Sequence, residues 1–194
     1  MVDVRQRRHE ETRSALVDAA LDIAEAEGYT GLTMERVAER AGVSRRTVYR
    51  RFRSKDDIVL ELPRRWLQTW DDAVAAAPAG LRAREIAELG SLAVSASIDD
   101  RPRDVLVGLQ ILAEAPSIAT AGVATESWHR RVLELLAADP TAAGWSEAEC
   151  AYVAGAYLGA IDSMLAVWAA DDGRSSLVEA NRLLLDRLRP IWPS

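Results

Sequence analysis

Apolar residues recur along this chain at helical spacing. Leu16, Ala19, Ala20, Ile23 and Ala24 stand at i, i+3, i+4, i+7 and i+8, which places them on one face of an amphipathic helix over roughly 11–27. Gly28 follows, suited to end that helix in the left-handed conformation. Thr33 is placed to cap a short second helix, Met34 to Ala41, with Val37 and Ala38 facing inward. Gly42-Val43 breaks the pattern, and Ser44 is placed to cap a third helix, Arg45 to Phe52, whose Val48 and Phe52 belong to the core. Ser54 starts a fourth helix, with Asp57 at the capping-box position. Pro63 falls inside that fourth pattern, so a kink near 59–63, or two helices meeting there, is expected.

Beyond it, "AAAPAG" (75–80) is a turn. Helices follow at 81–97, 102–114 and 117–138, with Asp99-Asp100, Pro102 and Pro116 marking the breaks. "ADPTAAGW" (138–145) is a loop. Ser146 and Glu149 form a capping box for a long helix to about Ala170, and Ser176 with Glu179 repeats it for a last helix to about Arg189. No window alternates like a strand between hairpin turns. The expected fold class is all-α, with about nine helices.

Charge sharpens this picture. The formal net charge is -6, but it is unevenly spread: residues 1–62 hold 12 basic and 12 acidic residues, and 63–194 hold 12 and 18. The run "GVSRRTVYRRFRSK" from Gly42 to Lys55 packs six basic residues and no acidic one. A local basic patch on an acidic chain implies a small polyanion-binding element joined to a body with another task. One cysteine, Cys150, allows no intramolecular disulfide and fits a reducing cytosol. The N-terminus lacks the apolar core of a signal peptide, and the apolar stretch from Tyr152 to Ala170 is interrupted by Asp162 and two glycines. A soluble cytoplasmic protein, away from membranes, is expected. No nucleophile motif, metal-ligand spacing or phosphate loop is present, and only two histidines occur. The expectation is therefore a protein that is not an enzyme and needs no cofactor or metal.

Ala38, four residues before Gly42, lets the second and third helices cross closely, and Val48, six residues after it, packs back. This spacing is that of a helix-turn-helix, although an ordinary helical corner shares it. The wider run "GYTGLTMERVAERAGVSRRTVYRRFRSKDDIVLEL" resembles the N-terminal DNA-binding domain of the TetR (tetracycline-repressor-like) family of transcriptional regulators, over about residues 10–62. The matching positions include Gly28-Tyr29, Thr33, Val37-Ala38, Ala41-Gly42-Val43-Ser44, Thr47-Val48-Tyr49, Phe52, Ser54-Lys55 and Ile58.

The resemblance implies a helix-turn-helix DNA-binding domain over 1–62 and a helical ligand-binding and dimerisation domain over 63–194. The third helix would enter the major groove of double-stranded operator DNA. Arg45 and Arg46 at its first turn, and Arg50 one turn on, are the candidate base readers, since arginine's planar fork suits guanine. Thr47, Tyr49 and Lys55 match family phosphate contacts, and Arg51, at a position often held by histidine, is assigned to phosphate as well. Arg5, Arg7, Arg8 and Arg13 either reach DNA from an N-terminal arm or form a solvated tail.

In the acidic remainder, Leu177, Leu184 and Ile191 stand seven apart with Leu188 between them, and Gly155 and Gly159 stand four apart on the preceding helix. They resemble the two-helix unit that pairs in this family as a four-helix bundle, so a homodimer is expected, with packing of the same faces inside one chain as the alternative. Trp66, Trp70, Trp128, Tyr152 and Tyr157, with Met164 and Trp168, are candidates to line a cavity for a small-molecule effector. His129, Cys150 and Asp162 are its candidate polar groups, and core packing is the other reading of each. The function expected is a sequence-specific DNA-binding transcriptional regulator, a repressor released from a palindromic operator by a lipophilic effector. The alternative is an effector-independent DNA-binding or partner-binding protein of the same fold.

Overall fold

In the computed structural model, residues 4–115, 118 and 123–193 are described, with the side chains of 4–6 and 123–125 excepted. All regular structure among them is helical. The elements are α1 (Val4–Gly31), α2 (Met34–Arg40), α3 (Arg45–Arg51), α4 (Lys55–Val59), α5 (Glu61–Ala75), α6 (Ala83–Asp99), α7 (Pro102–Glu114), α8 (Val123–Ala138), α9 (Glu147–Ala170) and α10 (Leu177–Leu188). Two short 3-10 turns, Pro140–Ala142 and Arg189–Ile191, complete the chain. Pro116 and the start of the helix expected from 117 lie outside the described residues. The chain divides into two compact units, Met1–Pro63 with Asp104–Ala121, and Arg64–Arg103 with Gly122–Ser194.

In the first unit the apolar stripe of α1, from Leu16 to Ala24, is buried together with Val37, Ala38, Val48, Phe52 and Ile58. α1 starts at Val4, earlier than the stripe alone suggests, and its helical geometry is interrupted at Gly28. There Glu114 accepts a hydrogen bond from the Tyr29 N–H at 2.7 Å. Thr33 and Ser44 cap α2 and α3 by accepting from the N–H groups of Arg36 and Thr47. Between these helices Gly42 takes φ +65°, which a side chain would oppose, and the Val43 N–H returns to the Ala38 carbonyl at 3.0 Å.

Ser54 caps α4, but Asp57 does not complete a capping box. Its carboxylate accepts from the Arg53 N–H at 3.2 Å instead, because aspartate is one methylene shorter than the glutamate of that motif. α4 and α5 meet at Leu60, so Pro63 falls in the first turn of α5, where its missing N–H has no helical partner to lose. No kinked helix is needed. Arg13 donates through Nε and Nη2 to the two oxygens of buried Glu61, 48 residues away, while its guanidinium stacks 4.6 Å above the Phe52 ring.

In the second unit α6, α8, α9 and α10 pack around Trp70, Ala87, Val132, Leu136, Ala154, Tyr157, Leu185 and Trp192. Gly90 of α6 is required by the close approach of Trp70: a Cβ there would stand 2.6 Å from the indole. Ser146 and Glu149 form the full capping box of α9. Ser176 caps α10, but Glu179 makes no return bond. Asp99 caps the same end from another helix: it accepts from Ser176 Oγ and from the N–H groups of Leu177 and Val178. α9 is long and apolar enough to cross a membrane by length and composition alone. It packs here against α8 and α10.

Candidate functional site

The basic run folds as the turn before α3, α3 itself and the start of α4. Val48 and Phe52 are buried and fix one face of α3 against the unit's core. Arg46 and Arg50 lie on the opposite side, and Arg45 stands at the first turn; all three are exposed. Among the described residues none of the three is paired with a carboxylate, whereas Arg36 of α2 is bound by Glu27 and Arg40 by Asp22 at 2.8 Å. A helix that shows unpaired guanidinium groups while its neighbours neutralise theirs presents a positive face to a polyanion.

The other sequence-derived contacts sit around this face with internal partners of their own. Thr47 Oγ1 is 2.9 Å from Ser44 Oγ. Tyr49 is 53% exposed, so it is not core, and its hydroxyl donates to Glu35 at 3.3 Å. Arg51 is half-buried, with Nη1 against Nδ1 of His9 on α1 and Nε buried without a partner. Lys55 donates to the Tyr29 carbonyl at 3.0 Å, its ammonium 3.7 Å over the Tyr29 ring. That tyrosine's hydroxyl donates in turn to Asp56, and burial first, then the Asp56 bond, hold its pKa far above the ordinary phenol value. Arg7 and Arg8 are exposed on α1. Arg13, grouped with them by sequence, is committed to Glu61 instead, and the Arg5 side chain lies outside the described residues.

A second feature is a cavity of about 140 Å³ within the second unit. Trp66, Trp70, Trp128, Tyr157, Asp162 and Met164 all line it, from α5, α8 and α9. Trp70 and Trp128 meet edge to face, with ring centres 5.5 Å apart. The Tyr157 hydroxyl donates to the Ala87 carbonyl at 3.1 Å, and burial raises its pKa well above the ordinary value. Four other candidates are not in the lining. Tyr152 points outward at 74% exposure, His129 is half-buried elsewhere on α8, Cys150 packs against the core, and Trp168 is buried, donating to the Ser175 carbonyl at 2.8 Å. Rotation around α9, about 140° over the five residues from Tyr152 to Tyr157, turns Tyr152 away from the cavity, and periodicity does not say which side the cavity takes when apolar residues surround the helix.

Sequence reasoning missed Ser91, Ser95 and Leu177, which also line the cavity. The two serines accept hydrogen bonds from the buried Asn181 amide at 2.8 Å each. Three small polar residues on two helices carry no local signal that they will converge.

The expected dimer surface divides. Gly155 and Gly159 are exposed, with nothing within 4 Å of the position a Cβ would take. Leu177, in contrast, is 1% exposed, and Leu188 and Ile191 pack on the core of their own unit. Leu184 is half-buried. Among the described residues of this unit, the large apolar side chains most uncovered are Tyr152, Val167 (73%) and Leu183 (62%), with Leu89 at 40%. On α9, Tyr152, Gly155, Gly159 and Val167 share one face.

The model of the family described as bacterial regulatory proteins, tetR family, matches residues 16–62. Over 57 residues the chain is 40% identical to the HTH-type transcriptional regulator TcmR of Streptomyces glaucescens, covering 29% of this chain and 25% of that one. The chain thus aligns with about a quarter of that relative's length. In overall fold it is similar to the transcriptional regulator FadR from Bacillus subtilis, solved in complex with stearoyl-CoA (TM-score 0.70, 17% identity, 90% of this chain and 96% of that chain). It is similar also to SmeT, solved with triclosan (TM-score 0.72, 15% identity, 95% and 92%).

Proposed function

We propose that this chain, whose residues 16–62 match the tetR family of bacterial regulatory proteins, is a dimeric, ligand-responsive transcriptional repressor acting in the cytoplasm. Residues 1–62 serve as the DNA-binding domain, and 63–194 carry the effector cavity and the dimer surface.

The observation that carries the DNA-binding reading is the exposed trio Arg45, Arg46 and Arg50, unpaired among the described residues, on a helix held to the core by Val48 and Phe52. In the major groove these guanidinium groups reach base edges, and Thr47, Tyr49, Arg51 and Lys55 hold phosphates. Lys55 spends one of its three protons on the Tyr29 carbonyl and keeps two for a phosphate oxygen. The exposed face of α9, with Gly155 and Gly159 allowing close backbone approach, supports pairing with a second copy across Tyr152, Val167 and Leu183. No catalytic step is proposed.

Effector binding beside Trp66 and Trp70 acts on α5, the helix that carries both residues and begins in the first unit. The ligand favours the dimer state whose recognition helices do not match the operator spacing. That solved proteins of similar fold hold stearoyl-CoA or triclosan supports a lipophilic effector.

Selection of bound fragments from a random DNA pool, followed by gel-shift titration, tests the reading. A palindromic preference lost in Arg45→Ala is expected. Binding that ignores sequence and is indifferent to Arg45→Ala would overturn it.

A further inference from the structure

The cavity's lining narrows the chemistry of what it takes. Trp66, Trp70 and Trp128 contribute three indole rings, the side chain with the strongest affinity for a cation over its face. Asp162 is the lining's one carboxylate, and no lysine, arginine or histidine accompanies it. No group among the described residues donates to it, and burial pushes its pKa above the ordinary value, with no compensating bond. Asp162 is exposed to solvent, so its charge is open to a positive group entering the cavity. The remaining polar groups are neutral and already engaged: Ser91 and Ser95 share the Asn181 amide, and Tyr157 donates to Ala87. An anionic ligand finds no counter-charge in this lining. The acidic excess of residues 63–194 further draws cations towards the unit.

We propose that the cavity binds a lipophilic organic cation, an aromatic or aliphatic body carrying one protonated or quaternary nitrogen, with the nitrogen at Asp162 and the body among the tryptophans. This deepens the effector reading above and rests on it. An acyl thioester of the kind held by the FadR neighbour would have to leave its phosphates outside the lining.

Three probes of matched shape and length test it: 4-phenylbutylamine, 4-phenylbutan-1-ol and 4-phenylbutyrate, titrated into the full-length protein at neutral pH without DNA. Tryptophan fluorescence and calorimetry give the affinities. The amine should bind about tenfold or more tighter than the alcohol, and the carboxylate weakest. Asp162→Asn should remove most of the amine's advantage and leave the alcohol unchanged. An unchanged thermal melt confirms that this exposed substitution keeps the fold. Equal affinity for amine and alcohol, no amine binding, or an amine affinity indifferent to Asp162→Asn would each overturn the proposal. A gel shift separates this from the regulatory reading. If the amine binds in the expected order but never releases DNA, the cavity chemistry stands and the effector reading fails. If the order is absent while another ligand releases DNA, the regulatory reading stands and this inference falls.

Discussion

Asp99, the last residue of α6, accepts the backbone N–H of Leu177, the first residue of α10, at 2.7 Å across 78 positions of sequence. It also takes the Val178 N–H and the Ser176 hydroxyl. An end-of-helix aspartate thus satisfies the open donors of another helix's first turn. Asp99→Ala should lower unfolding free energy by about 1–2 kcal/mol, read as a shifted urea midpoint. Asp100→Ala, at the exposed next position, should leave the midpoint in place.

The Arg13–Glu61 pair ties α1 to α5 beneath Phe52. The Glu61 hydrogen bond is the main reason the Arg13 pKa is raised. Glu61 is 6% exposed, so removing Arg13 strands a buried carboxylate. Arg13→Ala should cost about 3 kcal/mol, and the double variant Arg13→Leu/Glu61→Leu distinctly less. Chemical denaturation of both variants checks this.

Acid should weaken the second unit through Asp139. Burial alone would raise its pKa, but bonds from Thr141 and from the Ala83 N–H outweigh burial and hold it below the ordinary 3.8. A group with a depressed folded pKa stabilises above its unfolded value. That contribution is lost as pH falls below 3.8 through the folded pKa. Asp139→Asn should flatten the acid limb of thermal stability against pH and lower stability near neutrality. An acid limb unchanged in the variant would falsify the assignment.

Dimerisation should depend on the uncovered face of α9. Gly159→Arg or Val167→Glu places a charge at an exposed position of that face, so each should give a folded monomer by light scattering. Leu177→Ala should act otherwise, lowering stability by about 2–4 kcal/mol as a core truncation.

DNA affinity should fall steeply with salt. Roughly eight to ten phosphate contacts per dimer give a log–log slope near -7 to -9. Lys55→Ala should weaken all sequences about equally and flatten that slope by about two for a dimer, one for each lost contact. It should also lower stability slightly, because the Tyr29 carbonyl and ring lose the ammonium.

Local signals made the helices legible. Thr33, Ser44, Ser54 and Ser146 each cap the helix that their spacing from the next apolar face indicates, since a capping bond spans only three residues. The turn at Gly42 and the two faces of α3 follow from backbone sterics and from alternation of charge with Val48 and Phe52. The partners of Arg13, Lys55 and Asp99, and the Ala83 partner of Asp139, were not legible, because each of these bonds joins positions far apart in sequence and its energy exists only once the helices have packed.

The same division holds at the sites. A helical period tells which residues share a face, not what that face meets. Leu177 and Val167 both belong to apolar stripes, yet one is buried in its own unit and the other is exposed. Tyr152 and Tyr157 lie on one helix, five residues apart, and only the second reaches the cavity. By itself the sequence determined the helices, their caps and the basic helix-turn-helix, through interactions reaching no further than one turn. Only the tertiary structure decided which aromatics enclose a cavity, that Asp162 stands in it without a counter-ion, and which face of α9 stays uncovered. Those outcomes depend on how neighbouring helices occlude one another, and side-chain spacing along a single helix does not encode it.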